Sequence, residues 1–551
     1  MLLKGFSKTR IVFLLILCIL IFTPNPAAGV IAASDELTRF VSSALTRGNE
    51  WFVTTAGTGT DCSRINPGPL EYCVETKANV NDTVYVGAGS YISADLDDNL
   101  LFIQKSLRLV GSCIWDATGP VVCYPQNEPP YSNSSILHGE GVRRIIAIVG
   151  PGISVSIENF LFYNGNADQV EPKPASVIGA GGGVYAYDLD ALVLKNNYIW
   201  SNRASDTGTS ICDTGEGGGV YAADVQNLKI FENTIIFNSA SSPVSTGRGG
   251  GAYITSCGSG GEVTIRSNRF HENLVGGTTS SVGAGAYLSY IRNLDLSNNI
   301  FEYHNSVIRH DWIQGSALVL GLGVRSKRID HNLFHRNYGS TIVEVWGLTG
   351  GLTRNTFWDN DASYDLHIQN TNDINIINNF FGKTFGRSTA APDELQGTRG
   401  GVSVSIYIGR GGCGGGIPVV DLINNTFALA PYAVQVDEWA DVDIVRNIFT
   451  NHNFKAIDVN PANTRVSVKG NLFWGNALNG KTGTTFWVAD PKLVNMSNGD
   501  FHLKKGSAAI DKVPLGAVTS DIDYQLRPIG SGVDLGADEY GSTIFFPVIK
   551  R

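Results

Sequence analysis

The sequence predicts an all-β solenoid in which each coil is built from short strands and successive coils stack in parallel. Three observations support this fold. A template of an aliphatic residue, two free positions, Asn, one free position and then Ile or Phe recurs ten times. The surrounding segments alternate apolar and polar residues with period two, which is typical of strands. The shortest repeats span 22 to 24 residues, whereas helical repeats usually need more than about 30.

The asparagine of the template is expected to be structural. Like residues of stacked coils lie about 4.8 Å apart, so an inward Asn at a bend can bond its own backbone and the Asn of the next coil. The Ile or Phe that follows should fill the core beside it. The ten asparagines are Asn197, Asn233, Asn268, Asn299, Asn332, Asn355, Asn379, Asn425, Asn447 and Asn471.

Residues 1–29 are predicted to be a secretory signal peptide. Three basic residues precede an almost wholly apolar run at residues 11–22, and small residues at 27–29 offer a cleavage site. An uncleaved membrane anchor is the alternative, although twelve apolar residues fall short of the roughly 20 that a span needs. We therefore expect a secreted or cell-surface protein.

The rest of the chain is predicted to form three regions. Residues 30–144 would form an N-terminal cap and the first coils, residues 145–487 the repeats, and residues 488–551 a C-terminal capping and surface-association segment. Both ends are expected to be capped, because the open end of a solenoid is an edge that aggregates.

Composition narrows the class of partner. Apolar residues make up 43% of the chain, which allows a large core. The net charge is −9 and no basic run is present, which argues against a nucleic-acid partner. No further segment is long and apolar enough to span a membrane, and a monomer is expected.

Cysteines of an exported chain can form disulfides. Cys18 would leave with the signal peptide, so that seven of the eight cysteines remain. Proximity in the sequence or in neighbouring repeats indicates three pairs, although sequence does not fix connectivity: Cys62 with Cys73, Cys113 with Cys123, and Cys212 with Cys257. Cys413 would then be a lone thiol.

The template resembles the right-handed parallel β-helix of the pectin-lyase-like superfamily over residues 145–487. Copies such as Phe334-His335-Arg336-Asn337 also fit F-x-x-N. Together with Gly181-Gly182-Gly183-Val184-Tyr185 and its relatives, they resemble the GGA/FxxN repeats of polymorphic outer-membrane adhesins, whose membrane barrel is missing here. The resemblance implies a single-stranded right-handed parallel β-helix.

A second alternating strand precedes each template copy, and its middle residue is predicted to point outward because small or aliphatic residues flank it. We call this line of residues the outer column: Tyr185, Tyr221, Tyr253, Tyr287, Val319, Glu344, His367, Tyr407, Gln435 and Asp458. An exposed tyrosine row suits pyranose rings, and the longest insertions could wall a cleft beside it. The alternatives are a stability ladder, or tyrosines that point inward.

Substrate-binding candidates are taken from this face: Tyr185, Tyr221, Tyr253, Tyr287, Trp346, Tyr407, Gln435 and Asp437. Catalytic candidates are Glu344, His367, Asp365 and Asp458. Lyases of the superfamily imply a base beside a uronic carboxylate, which acids neutralise, often with Ca²⁺. His367 would be that base. The aspartate motifs of the hydrolases are absent, and we predict neither a resident metal nor a cofactor.

The favoured function is a secreted or surface protein that engages extracellular polysaccharide along one long face. The first alternative is a polysaccharide lyase or glycoside hydrolase at the same face. The second is a surface adhesin or structural module. Acid and base converging in a cleft would indicate an enzyme, and exposed tyrosines without such convergence a glycan binder.

Overall fold

The computed structural model describes residues 48–541, apart from 94–98, 127–132, 169–178, 206–214, 243–245, 259–260, 278–279, 305–312, 372, 386–402, 410–415, 515 and 517. The predicted signal peptide, Cys18, Cys212 and Cys413 lie outside the described residues. From Glu50 onward the chain forms one compact unit.

The predicted parallel β-helix is confirmed. Each full coil contains three strands, which pair in parallel with the corresponding strands of the coils before and after it. We call the three rows sheet 1, sheet 2 and sheet 3 in the order in which a coil visits them. Two bent strands, Val184–Lys195 and Val220–Phe231, run through both sheet 1 and sheet 2.

The other strands of each sheet are as follows. Sheet 1 contains Asn99–Ile103, Arg144–Val149, Ala252–Thr255, Ala286–Ser289, Leu318–Leu320, Tyr338–Trp346, Asp361–Gln369, Val404–Ile408, Tyr432–Val436 and Lys455–Val459. Sheet 2 contains Glu50–Val53, Asp82–Gly87, Leu107–Ile114, Ser154–Glu158, Val263–Arg266, Leu294–Ser297, Ser326–Asp330, Gly350–Thr353, Ile374–Ile377, Val419–Ile423, Asp441–Val445 and Val466–Lys469. Sheet 3 contains Gly89–Tyr91, Ser135–His138, Phe160–Tyr163, Tyr198–Trp200, Thr234–Ile236, Arg269–His271, Ile300–Glu302, Leu333–His335, Thr356–Trp358, Phe380–Gly382, Thr426–Ala428, Ile448–Thr450, Asn471–Trp474 and Phe486–Val488.

Smaller elements decorate the solenoid. Insertions between sheet 3 and sheet 1 form two short parallel sheets. We call Arg203–Ser205, Ser239–Ser242 and Leu274–Gly277 ribbon 1, and Gly215–Glu216, Thr246–Arg248, Ser280–Val282 and Ile313–Gln314 ribbon 2. Strand Val122–Cys123 pairs with Leu107–Ile114, and Leu493–Asn495 with Asp500–Leu503. The helices among the described residues are a π-helix at Tyr72–Lys77 and a 3₁₀ turn at Met496–Asn498. No helix in the described part of the chain is long and apolar enough to cross a membrane.

The ten template asparagines form a buried ladder at the turn from sheet 2 to sheet 3. In Asn332, Nδ2 donates to the Leu296 carbonyl at 2.9 Å and to Asn355 Oδ1 at 3.0 Å. Its Oδ1 accepts from the backbone N–H and the Nδ2 of Asn299 at 3.1 and 3.0 Å. The Asn332 amide thus satisfies two backbone groups of the preceding coil and bonds the asparagine on either side, as expected of a structural residue. The predicted bond to the residue's own bend occurs at Asn355, whose Nδ2 also donates to the Thr353 carbonyl at 3.1 Å.

A second ladder lies at the turn from sheet 3 to the next strand of the coil, where F-x-x-N places its asparagine. The backbone N–H of Asn202 donates to Asn238 Oδ1 at 3.0 Å, and the same contact repeats between Asn238 and Asn273. His304 continues this ladder, because its Nδ1 accepts the Asn273 N–H at 3.1 Å. In each F-x-x-N copy the Phe therefore stands two residues after a first-ladder position, and the Asn is the second-ladder residue.

The residue directly before each ladder position has a positive φ. Before the first ladder these angles lie between 52° at Asn196 and 63° at Gly470, and before the second ladder Arg336, which precedes Asn337, has a φ of 51°. This left-handed conformation costs L residues roughly 1–2 kcal/mol. The side-chain bonds of the next residue hold each strained turn in place.

The main core fills the space between the three sheets. Eight phenylalanines of sheet 3 stack through successive coils with ring centroids 4.6–5.3 Å apart. These rings belong to Phe270, Phe301, Phe334, Phe357, Phe381, Phe427, Phe449 and Phe473, and all are fully buried. Burial of each ring contributes about 2–3 kcal/mol.

Two of the predicted disulfides are present, Cys62–Cys73 and Cys113–Cys123. The predicted pairing of Cys257 with Cys212 is wrong, because Cys257 is a free buried thiol. Burial raises the pKa of Cys257 to about 12, so this thiol stays protonated and unreactive at neutral pH.

The C-terminal segment does more than close the last coil, because it packs back along the outer face of sheet 3. Phe501 contacts the rings of Trp358 and Phe380. Farther back, Tyr524 stacks on His331 with ring centroids 4.4 Å apart. The segment therefore covers apolar side chains that several coils would otherwise expose.

Replacement of Asn332 by Ala should destabilise the solenoid by about 3 kcal/mol, because it leaves the Leu296 carbonyl and the Asn299 N–H buried without partners. The measurement is the midpoint of denaturant unfolding. Asn453→Ala serves as the control, since Asn453 is exposed and lies outside both ladders. Equal midpoints for the two variants would contradict a structural role of the ladder.

Candidate functional site

The outer column has the alignment that the sequence predicted. The register of sheet 1 pairs its ten members in order from Tyr185 to Asp458. The flanking residues, such as Val184 and Ala186, belong to the main core. The column therefore faces away from that core, and the inward alternative for the tyrosines is wrong.

The tyrosine half of the column is nevertheless not an exposed surface. Tyr185, Tyr221 and Tyr253 are 0%, 3% and 7% exposed. Their rings stack face to face with centroids 5.0 and 5.6 Å apart, and Tyr287 extends the stack at 5.2 Å. The expectation of exposed faces for sugar rings is wrong for these three tyrosines, whereas Tyr287 is half-buried.

Charged groups of ribbon 2 lie close to this tyrosine stack. The Arg248 guanidinium pairs with the Glu216 carboxylate at 3.1 Å. Arg248 also hydrogen-bonds to Tyr253, and burial raises the pKa of the Tyr253 hydroxyl. At the other end, the buried Arg144 guanidinium lies 4.7 Å from the ring centroid of Tyr185. The insertions that form ribbon 2 therefore do not wall an open cleft. They form a second layer beside sheet 1, and the tyrosines pack beneath this layer.

The polar half of the column begins with a buried carboxylate. Glu344 is fully buried, and its Oε2 lies 3.0 Å from His367 Nδ1. Its Oε1 accepts from Gln369 Nε2 at 2.7 Å. An ionised carboxylate can only accept, so facing one His367 would donate from Nδ1, and a neutral ring would then keep its lone pair on Nε2. The expected contact between Glu344 and His367 is therefore present.

Aromatic rings surround the half-buried His367. Tyr407 lies 5.1 Å from it, and Tyr364 lies 5.5 Å from it and 5.0 Å from Tyr407, all between ring centroids. The Tyr407 hydroxyl donates to Asp437 Oδ2 at 3.3 Å. Gly409 allows the Tyr407 ring to take this position, since a Cβ on residue 409 would lie 2.7 Å from the ring.

Asp458 ends the column in a separate group. Its Oδ1 pairs with Lys455 Nζ at 2.8 Å, and its Oδ2 accepts from Gln435 Nε2 at 3.2 Å. Three strand spacings separate Asp458 from His367, about 14 Å. The structure therefore does not bring Asp458 into one catalytic group with His367.

Asp365 faces the interior, not the outer face. It is fully buried, and its carboxylate accepts from Asn360 Nδ2 at 3.1 Å and from the Thr384 hydroxyl. Thr384 occupies a second-ladder position that would otherwise hold an asparagine. Asp365 replaces the missing amide, because its carboxylate bonds both Asn360 of the preceding coil and Thr384. The assignment of Asp365 to the same surface as His367 is wrong, because the chain turns inward between these two residues.

Sequence reasoning missed three side chains at this site: Tyr364, Gln369 and Lys455. Gln369 was detectable, since it follows His367 by two residues and strand alternation puts it on the same face. It pairs in register with the half-buried Trp346. The positions of Tyr364 and Lys455 depend on where each coil turns into sheet 1, and the template does not specify that point.

In the described part of the chain, one group could hold a metal ion: His502, Asp523 and Asp538, whose ligand atoms lie within 4.8 Å of one another. Two of these groups already bond each other, with His502 Nε2 2.9 Å from Asp523 Oδ2, and Asp538 accepts the Leu503 N–H at 2.7 Å. Burial alone would lower the pKa of His502, but hydrogen bonds to Asp523 and Asp500 and the charge of Asp538 raise it to about 10. The imidazolium therefore ties the C-terminal strand pair to the segment that follows.

The chain was compared with known proteins. No protein-family model matches it, and no curated protein sequence matches it either. Solved structures with a similar fold include pectate lyase Pel9A, at 12% identity and a TM-score of 0.34, covering 91% of this chain and 98% of the other. Another is a mannuronic acid specific polysaccharide family 6 lyase from human gut microbiota, at 12% identity and a TM-score of 0.32, covering 80% and 83%.

Asp365→Asn should stabilise the protein at neutral and alkaline pH. Burial raises the pKa of Asp365 to about 7 from its ordinary value of 3.8, so ionisation opposes folding. The wild type therefore loses stability as the pH rises from about 4 to 7, and the variant does not. The variant should gain up to about 4 kcal/mol above pH 7 and little at pH 4.

Unfolding midpoints of the wild type and the variant across this pH range measure the difference. Asp190→Asn, at an exposed position of the strand Val184–Lys195, is the control for the loss of one carboxylate. A constant difference at every pH would contradict a neutral buried carboxyl.

Proposed function

We propose that the protein binds an extracellular polysaccharide on the polar half of the outer column, between His367 and Asp458. We call this surface the column site. The observation that carries the proposal is the aromatic cluster of Tyr364, His367 and Tyr407, whose ring centroids lie within 5.5 Å of one another beside half-buried amide and carboxylate groups. Amphipathic aromatic rings offer a stacking face and a polar edge to a sugar.

The spacing of the coils supports an extended ligand. Tyr407, Gln435 and Asp458 are aligned in register on successive strands of sheet 1. Strand spacing places them about 4.8 Å apart, so a pyranose chain running along the solenoid would meet a new side chain at each coil. The Tyr407 ring packs directly on Gly409, where a Cβ would lie 2.7 Å from the ring.

The local charges favour a neutral sugar, or an acidic one bridged by a cation. Glu344 and Asp437 flank the cluster, and Lys455 is already paired with Asp458. A uronic carboxylate would meet repulsion here unless Ca²⁺ bridged it to Asp437. Binding of an acidic polymer at this surface should therefore require Ca²⁺, whereas binding of a neutral polymer should not.

A polysaccharide lyase is the second candidate function, and the His367–Glu344 pair favours it. With Nδ1 donating to Glu344, the Nε2 of His367 would accept a proton from the sugar carbon beside the carboxylate. The electron pair of that C–H bond would form a C=C bond as the adjacent glycosidic C–O bond breaks, and the leaving oxygen would take a proton from water. Gln369 would fix the glutamate from its other oxygen. Glu344 and Gln369 act as positioning residues in this scheme.

We further propose that the repeats are of the GGA/FxxN type found in polymorphic outer-membrane adhesins. The two motifs contact each other: a Cβ on Gly183, Gly219 or Gly251 would crowd the carbonyl of the next coil and the side chain of Asn202, Asn238 or Asn273. The glycines and the F-x-x-N asparagines would then recur together, because the asparagine side chain fits only where the neighbouring residue has no Cβ.

Tyr407→Ala should weaken binding of the preferred polysaccharide at least tenfold, because it removes the stacking ring. The measurement is affinity electrophoresis or calorimetry with a panel of neutral and acidic polysaccharides, with and without Ca²⁺. Tyr290→Ala is the matched control, since Tyr290 is 56% exposed and lies outside the column. Unchanged affinity for Tyr407→Ala would contradict binding at the column site, and binding of no polymer would favour a protein-directed adhesin.

If the protein is a lyase, His367→Ala should abolish the rise in absorbance that unsaturated products cause, because no base remains. Glu344→Gln should shift the pH profile of the rate rather than abolish it, since the glutamate acts through the imidazole. Polymer size is measured in parallel, with Tyr290→Ala as the control. Shortening without absorbance would indicate hydrolysis, and no shortening would remove the catalytic candidate.

A further inference from the structure

A separate cavity of about 340 Å³ lies between the last coils and the C-terminal strand pair. Thr450, Asn451 and Trp474, at the ends of two sheet 3 strands, form one side. Lys492, Lys504 and Lys505, with the apolar Leu493 and Met496, form the other. Its volume falls at the lower end of the roughly 300–1,000 Å³ of small-molecule sites.

The cavity concentrates positive charge in an acidic protein. Lys492, Lys504 and Lys505 are all exposed. Within the described part of the chain none of the three forms an ion pair, although the net charge of the chain is −9. The one carboxylate at the cavity, Asp490, accepts the backbone N–H of Lys492 at 2.8 Å. Three ammonium groups are therefore available to an anion.

Trp474 adds an open aromatic face to this charge. The corresponding positions of the preceding coils, Gly382, Ala428 and Thr450, are buried. Trp474 lies one coil farther and is 42% exposed. Within the described residues, the side-chain amide of Asn451 forms one hydrogen bond, from Nδ2 to the weak acceptor Met496 Sδ at 3.5 Å, so that it can turn to a better partner.

We propose that this cavity binds an anionic sugar unit, a uronate or a sulfated residue of an acidic polysaccharide. The indole would stack on the apolar face of the ring, the ammonium groups would hold the carboxylate or sulfate, and Asn451 would reach a ring hydroxyl. We call it the cap site. The proposal shares with the proposed function only the class of ligand, because the cap site and the column site have no residue in common.

The test is calorimetric titration of the intact protein with a galacturonate tetramer and with the same tetramer methyl-esterified, which removes the charge alone. We expect binding of the acidic tetramer without Ca²⁺, at least tenfold weaker binding of the ester, and weakening as salt rises. Equal affinity for the two tetramers, or no binding of the acidic one or of a sulfated counterpart, would overturn the proposal.

Two variants locate the site. Trp474→Ala should weaken binding at least tenfold, whereas Trp439→Ala, at a tryptophan that is 45% exposed elsewhere, should not. The triple replacement of Lys492, Lys504 and Lys505 by Gln should lose binding, whereas the same replacement of Lys469, Lys481 and Lys512 should keep it. Equal losses in both triple variants would mean a net-charge effect and would overturn the proposal.

Inorganic sulfate and the Tyr407→Ala variant separate the remaining outcomes. If sulfate alone binds as tightly as the tetramer and Trp474→Ala has no effect, the cavity is an anion site without sugar recognition and the proposal fails. Tyr407→Ala should leave binding at the cap site intact. Loss in Tyr407→Ala but not in Trp474→Ala would contradict the cap site. The reverse supports the cap site and does not bear on the column site, which is expected to bind an acidic polymer only with Ca²⁺.

Discussion

The asparagine ladders are the constraint on which the rest of the molecule depends. Each coil must turn sharply to remain a closed coil, and it does so through a left-handed residue placed directly before a ladder position, such as Arg354 before Asn355. The amide of Asn355 then bonds Asn332, Asn379 and the Ile329 carbonyl. Since these bonds link three coils, the turns fix the axial spacing and so the register of all three sheets. The stacked phenylalanines and the outer column follow from that register.

Parallel stacking places like positions above one another, which suits rings and amides but not charges of one sign. The outer column reflects this rule. Its tyrosines stack under ribbon 2, whose strands end at Ile313–Gln314. Beyond that point each carboxylate is faced by a donor: Glu344 by His367 and Gln369, and Asp458 by Lys455 and Gln435. Among the described residues, the ribbons accompany the tyrosine half and the polar chemistry lies on the other half, and the functional proposal rests on that half.

The C-terminal segment divides the surface in a similar way. It covers the outward side chains of sheet 3 from Trp358 to Ile448, where Phe501, Leu503 and Leu535 supply apolar contacts. Trp474 lies beyond most of this cover, beside lysines that the same segment contributes. A chain with an overall negative charge thus carries a basic recess, and the column site and the cap site differ in the sign of their local charge.

The sequence by itself determined the coil, the inward asparagines and the order of the outer column, because these depend on a short template and on strand alternation. It also predicted the Glu344–His367 contact, since register alone places the two residues on adjacent strands. Only the tertiary structure decided which column residues are accessible. Ribbon 2 lies beside Tyr221 and Tyr253, and Asp365 turns inward to complete a rung that Thr384 leaves open. Burial depends on insertions and turns that lie outside the template, and no local pattern encodes which surface they cover.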